Sequence, residues 1–190
     1  MTKVAIQGIR GSYSSVAAIE AFSDRLELVE CTSFDGVFQA MASGLATHAV
    51  LPIRNSIVGK IDATNRLIAE YRPRSLGTLK VTVDHVLAAI PGTLFNELDS
   101  VRSHSEALKQ CSKFLEEHPH LRAISGFDTA SSIRSVIYDN IVGQAAICSK
   151  AAAEMYGAEV LRENIADTSG NMTTFAILKF VPKRRTAATL

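Results

Sequence analysis

The stretch THAVLPIRNSIVGKIDATNRLIAEY, residues 47–71, decides how this chain folds. Ala49, Val50, Leu51 and Ile53 make a short apolar run, the length of a strand and not of a helix. Asn55, Ser56 and Gly59 follow; Asn and Ser side chains bond nearby backbone, and glycine permits positive φ, so this segment is a loop. From Ile61 the pattern reads as a helix. A strand, a polar loop and a helix in succession are one half of a βα unit.

The same unit recurs in both directions. Residues 3–8, KVAIQG, read as a first strand, and 12–22 as a helix with Ser12 at its N-cap. Residues 34–44 form a helix closed by Gly44. Residues 76–92 are mostly extended, with alternation through Leu79, Val81 and Val83. Residues 103–119 read as one helix: Ser103 caps it, Glu106 completes a capping box, and Pro119 ends it. Strands are expected at 121–127, 144–149, 158–161 and 173–180, and helices at 129–140 and 150–157. Residues 181–190 read as a polar tail. The class is therefore α/β with a largely parallel sheet. One seam stands out near residues 72–78, where Pro73 and Gly77 punctuate.

Composition narrows the partners. Of 190 residues, 20 are basic and 19 acidic, a net charge of +1 that gives no electrostatic footprint for nucleic acid or a membrane surface. No apolar run approaches the ~20 residues that span a bilayer, and the N-terminus does not read as a signal peptide. Cys31, Cys111 and Cys148 are odd in number and widely spaced, which suits buried thiols in a reducing cytoplasm better than disulfides or zinc. No metal-ligand cluster and no Ser-His-Asp order stands out.

In open α/β sheets ligands sit beyond the carboxyl ends of strands. The polar segments expected there are Gly8–Ser14, Arg54–Gly59, Ser103–Glu106 and the run DTASS from Asp128. The helix N-terminus in the first favours a carboxylate or phosphate. His104, near a helix start, would suit a neutral hydrogen-bond donor. The residues alone point to a two-lobed α/β protein with a polar cleft for a small anion.

Five blocks, in order, carry a resemblance to the catalytic domain of prephenate dehydratases. GIRGSYSSVAA (8–18) is similar to the family's G-x-x-G-[ST]-[YF]-[ST]-x-x-A-A opening, and LPIRNSIVGKIDATNRLI (51–68) resembles its P-I-E-N-S-x-x-G loop and helix. VRSHSEALKQCSKFL (101–115) resembles its S-H-P-Q-A-L-x-Q-C block, DTASS (128–132) its D-T-A segment, and GNMTTFAIL (170–178) its N-x-T-R-F signature.

The resemblance implies two lobes like those of type II periplasmic binding proteins, with mixed, mostly parallel sheets. Lobe 1 would hold residues 1–77 and about 165–180, lobe 2 about 78–164, and the active site would lie between them. It implies catalytic roles for Thr173, Ser103 and His104. Substrate would be bound by Ser12, Tyr13, Arg54, Asn55, Ser56, Glu106, Thr129, Ala130, Asn171, Thr174 and Phe175. The substrate would be prephenate, with no cofactor and no metal, and a homodimer is the assembly it allows. Most members carry a C-terminal regulatory ACT domain, and the resemblance here covers the catalytic domain alone.

Three positions depart from the family pattern. Arg54 stands in place of glutamate, Thr174 in place of arginine and Glu106 in place of glutamine. The charge changes sum to zero, so Arg54 is expected to take over a substrate carboxylate that the signature arginine would hold. An altered charge set suits decarboxylation, which needs an apolar setting, better than dehydration, which needs an acid at the leaving hydroxyl. The expectation is therefore a non-aromatising prephenate decarboxylase of secondary metabolism. The alternatives are a prephenate dehydratase giving phenylpyruvate and a non-catalytic anion-binding module.

Overall fold

The computed structural model of the protein describes residues 1–180; the tail expected at 181–190 lies outside them. In chain order the first elements are β1 (Thr2–Gln7), α1 (Tyr13–Phe22), β2 (Leu26–Cys31), α2 (Phe34–Ala42), β3 (His48–Asn55), β4 (Gly59–Lys60), α3 (Asp62–Tyr71) and β5 (Arg74–Thr82). Then come β6 (Val86–Ala89), β7 (Ser100–His104), α4 (Ser105–Gln110), α5 (Ser112–Glu117), β8 (Arg122–Gly126) and α6 (Thr129–Tyr138). The last are β9 (Gln144–Cys148), α7 (Lys150–Met155), β10 (Glu159–Arg162) and β11 (Met172–Lys179).

The strands build two sheets. One runs β2-β1-β3-β11-β5 with β4 paired to β3, and the other runs β10-β6-β9-β7-β8. Each is buried on both faces because its residues alternate between two apolar layers. In the first sheet, Val4, Ile6, Val50 and Phe175 pack under Ala17 and Ala18 of α1. On its other face Ala5, Ala49, Leu51 and Leu178 meet Val37, Phe38 and Met41 of α2 and Leu67 of α3. In the second, Leu87, Val101 and Ile147 pack on Ala107, Cys111 and Phe114. Val86, Ala146 and Cys148 meet Ala130 and Ile133 of α6 and Ala152 of α7 on the reverse side. The thiols of Cys111 and Cys148 lie in these layers, and burial pushes each up to about 12.

Several expectations are corrected. The sheets are mixed but not mostly parallel: four pairings are parallel and five antiparallel. Two of the five come from the returning β11, which enters between β3 and β5 and runs against both, two from β6, which runs against β9 and β10, and one from the pairing of β3 with β4. Strands β2 and β7 were not anticipated. The helix expected at 103–119 is two helices broken at Cys111. A new N-terminus forms there because Asp167 accepts from the amides of Ser112 (3.2 Å) and Lys113 (3.0 Å). The passage between sheets falls at residues 83–85, beyond the seam expected near 77, because β11 holds β5 along its length. Among the described residues no helix is long and apolar enough to cross a membrane.

The loop after β1 also locks the two sheets together. Ser149 Oγ donates to the carbonyl of Gly11 at 3.0 Å, and Tyr156 Oη donates to that of Arg10 at 2.7 Å. Gly11 has φ +85°, and a Cβ there would stand 3.1 Å from Ala152 Cα, a backbone atom that cannot yield cheaply. Gly11→Ala combines left-handed strain with overpacking, each about 1–3 kcal/mol. A urea titration is expected to show a loss of roughly 2–4 kcal/mol.

Candidate active site

The carboxyl ends of β1, β3, β7 and β8 all open on one cleft of about 260 Å³ between the sheets. The first sheet supplies Gln7, Gly8, Asn55, Thr173 and Phe175, and the start of α1 supplies Ser12, Tyr13 and Ser14. The second side supplies His104, Glu106, Ala107, Gln110, Phe127, Asp128 and Thr129; Val83, His85 and Asn171 come from the two crossing segments. The crossing segments run side by side, with the Val83 amide donating to the Asn171 carbonyl at 2.8 Å.

Asn55 organises one wall of the cleft. Its Oδ1 accepts from the amides of Ile57 (2.9 Å) and Val58 (3.0 Å), which closes the loop after β3. With the oxygen pinned, Nδ2 must point the other way, where it donates to Asn171 Oδ1 at 2.7 Å and Thr173 Oγ1 at 2.9 Å. Thr173 Oγ1 is thus an acceptor from the wall, so its own proton is left to donate. Thr173 is 8% exposed, at the mouth of β11.

A β-bulge sets which residues face the cleft. Thr174 pairs with Arg54 but Phe175 pairs with Pro52, so one extra residue of β3 shifts the alternation. Pro52, Asn55, Thr173 and Phe175 line the cleft, whereas Arg54 and Thr174 do not. Arg54 and Thr174 lie opposite each other, with Lys60 beside Arg54 on β4 and Lys80 beside Thr174 on β5. The expected replacement of a signature arginine by Arg54 is corrected: this face of the sheet turns away from the cleft.

Three more expected site residues have other work. Ser103 is not a helix cap; it is fully buried in β7 and its Oγ donates to the Ile147 carbonyl at 2.6 Å, extending the seam with β9. Ala130 is buried in the apolar layer beneath α6, which leaves only its backbone amide near the helix start. Ser56 Oγ accepts from the Met172 amide at 2.9 Å and donates to Asn171 Oδ1 at 3.2 Å, tying the loop to β11. The remaining nine (Ser12, Tyr13, Asn55, His104, Glu106, Thr129, Asn171, Thr173 and Phe175) line the cleft.

His104 is the N-cap of α4, its Nδ1 accepting from the Glu106 amide at 3.2 Å. In the neutral ring the proton is therefore on Nε2. Glu106 is bound by Lys109 Nζ at 2.8 Å, and this hydrogen bond holds its carboxyl below the usual range. Tyr13 Oη donates to the Asp84 carbonyl at 2.7 Å; burial pushes its pKa well up, so the hydroxyl stays protonated. Among the described lining residues there is no lysine or arginine, and the carboxylates are Glu106 and Asp128. Positive potential comes instead from the starts of α1 and α6, whose first amides lack intrahelical acceptors.

Sequence reasoning missed His85 and Gln110, and held Asp128 only as part of the candidate run DTASS. Gln110 was visible as the second glutamine of the S-H-P-Q-A-L-x-Q-C block. His85 had no motif to mark it.

Comparison with known proteins agrees with this geometry. The family model described as prephenate dehydratase matches residues 4–182. Arogenate dehydratase 5, chloroplastic, of Arabidopsis thaliana is 37% identical over 177 residues, 93% of this chain and 41% of that relative. A solved prephenate dehydratase from Arthrobacter aurescens in complex with L-Phe matches with TM-score 0.85 at 26% identity, over 96% of this chain and 61% of that one. GqqA, described as a novel type of quorum quenching acylase, matches with TM-score 0.82 at 29% identity, over 95% and 65%. The chain thus spans less than half the length of the curated relative. By its motifs, its cleft and these matches, the chain belongs to the prephenate dehydratase family.

Proposed function

We propose that the cleft catalyses decarboxylative dehydration of prephenate or of its α-amino counterpart, arogenate, a step of aromatic amino acid biosynthesis. The observation that carries this reading is the Thr173 hydroxyl, held as an acceptor from Asn55 so that its proton faces the cleft. The reaction breaks the bond between ring and carboxylate, and the freed electron pair moves through the cyclohexadiene to expel the ring hydroxyl. The departing oxygen takes up one proton. Prephenate dianion and one proton then give phenylpyruvate monoanion, CO₂ and water. A hydrogen bond from Thr173 stabilises charge on the leaving oxygen as the bond breaks.

The rest of the cleft fits the two ends of such a substrate. Pro52, Ile61, Val83 and Phe175 give an apolar patch suited to a carboxylate that must lose its charge as CO₂. The side-chain carboxylate suits the amides at the start of α1 or α6. Asp128 Oδ2 has no hydrogen-bond partner, which favours a substrate bearing an ammonium group, so arogenate is to be assayed beside prephenate.

Dehydration now stands ahead of decarboxylation alone. The case for a decarboxylase rested on changed charges at Arg54, Thr174 and Glu106, and the first two lie off the cleft. Arg54→Ala is accordingly expected to alter kcat/KM by less than about threefold, within the ±0.5 kcal/mol of an ordinary surface change. A loss above tenfold in steady-state assays would return Arg54 to the site. The decarboxylase remains a second reading because Glu106, in place of the family's glutamine, does line the cleft. Incubation with each substrate decides between them. Phenylpyruvate, seen as its enolate in alkali, or phenylalanine supports dehydration; a non-aromatic product supports decarboxylation; saturable binding without turnover leaves a binding module.

A further inference from the structure

His85 lies in the passage between the sheets and is only 2% exposed, yet no motif marks it. Its Nε2 is 3.0 Å from Gln110 Oε1, and that same oxygen accepts from Asn171 Nδ2 at 3.1 Å. Asn171 Oδ1 accepts from Asn55 Nδ2, and Asn55 Nδ2 also donates to Thr173 Oγ1. Three side chains, Gln110, Asn171 and Asn55, thus link His85 to the hydroxyl that faces the substrate.

The chain has a direction. Asn171 presents its oxygen to Asn55 and its NH₂ to Gln110, whose Oε1 faces both Asn171 Nδ2 and His85 Nε2, so turning either amide over would set donor against donor. The Asn55 end is fixed by the Ile57 and Val58 amides. At the far end Gln110 Oε1, already an acceptor from Asn171, needs a donor from His85, which places the ring proton on Nε2. A ring protonated on Nε2 leaves Nδ1 to accept from Tyr13 Oη at 3.3 Å, a hydroxyl it shares with the Asp84 carbonyl at 2.7 Å. Burial also pushes the imidazole pKa down, which keeps one ring nitrogen without a proton.

We infer that His85 is a positioning residue: as a neutral ring protonated on Nε2, it anchors Gln110, which braces Asn171 against Asn55, and so helps hold the Thr173 proton toward the substrate. Its kinetic consequence rests on the dehydratase reading, but its tautomer does not.

Two measurements test it. Long-range ¹⁵N correlation spectra of the histidine ring, recorded on the free protein at pH 7.5, are expected to give the Nε2–H tautomer for His85. An Nδ1–H ring or an imidazolium overturns the inference whether or not the protein turns over either substrate. In steady-state assays His85→Phe is expected to lower kcat by about a hundredfold, the scale of a misplaced catalytic group, with KM within threefold. His85→Gln, which can still donate an N–H, is expected to recover at least tenfold of that loss. Equal impairment of both variants, or an unchanged kcat in His85→Phe, would reduce His85 to a packing residue. Absence of turnover in the unmodified protein would count against the proposed reaction, and the ring spectrum would still decide the tautomer.

Discussion

Thr173→Ala is expected to lower kcat by roughly two to four orders of magnitude, the scale of a lost acid–base or polarising group. Stability is expected to fall by only about 1 kcal/mol, because one hydrogen bond, from Asn55 Nδ2, is given up. The buried position of the side chain makes this separation informative. A packing residue at a strand mouth would cost stability and leave turnover alone; a donor aimed at a leaving hydroxyl does the reverse. Thr173→Ser keeps the hydroxyl and is expected to retain most of the activity. Should Thr173→Ala retain near-normal kcat, the hydroxyl has no part in the chemistry.

The second large effect is expected at Asn55, where loop closure and catalysis meet in one side chain. Asn55→Ala removes the acceptor for two amides and the donor to Asn171 and Thr173. Unsatisfied buried groups cost about 1–3 kcal/mol, and displacing the reacting hydroxyl is worth about a hundredfold in rate. Asn55→Asp separates the two. Its Oδ1 still accepts from Ile57 and Val58, but its second oxygen cannot donate, so Thr173 must give its proton to the wall instead of the substrate. The aspartate variant is expected to keep more stability than the alanine variant and to lose kcat at least as severely. Equal activity of Asn55→Asp and the unmodified protein, measured by product formation, would contradict the directional role.

How much of this was legible in the sequence depended on the kind of signal. Strands β1, β3 and β9 carry continuous apolar runs, as doubly covered strands do, and they were found. Strand β7 was not, because inward positions are serines. Ser100 accepts from Gln144 Nε2 at 3.2 Å and Ser103 donates to Ile147, so polar residues are satisfied inside a layer that reads as loop. The same residues explain the misplaced helix cap: Ser103 followed three residues on by Glu106 mimics a capping box, while the strand continues to His104. Strand β2 lies at an edge, where Glu27 and Glu30 interrupt the apolar pattern.

The site was legible where motifs supplied it and misread where geometry decided. Asn55, Thr173 and Asn171 were named from blocks far apart in the chain, and the fold brings them within hydrogen-bond distance. Arg54 and Thr174 were placed in the site by their positions in the family blocks, but strand alternation next to Asn55 and Thr173 turns them to the other face. The bulge that brings Pro52 to the cleft side has no periodic signature in the sequence, so it could not be anticipated. His85 was missed because a lone histidine before an apolar strand carries no pattern; its role emerges from partners on Tyr13 and Gln110, 72 and 25 residues away.

The most direct test of the proposed chemistry follows the oxygen atom that leaves. Substrate carrying ¹⁸O in the ring hydroxyl would be turned over to completion, and the label sought in both water and organic product by mass spectrometry. Dehydration in this cleft predicts that the label passes into water, one equivalent for each CO₂ released, and that the aromatic product carries none. Label retained in a non-aromatic product alongside released CO₂ would contradict the account.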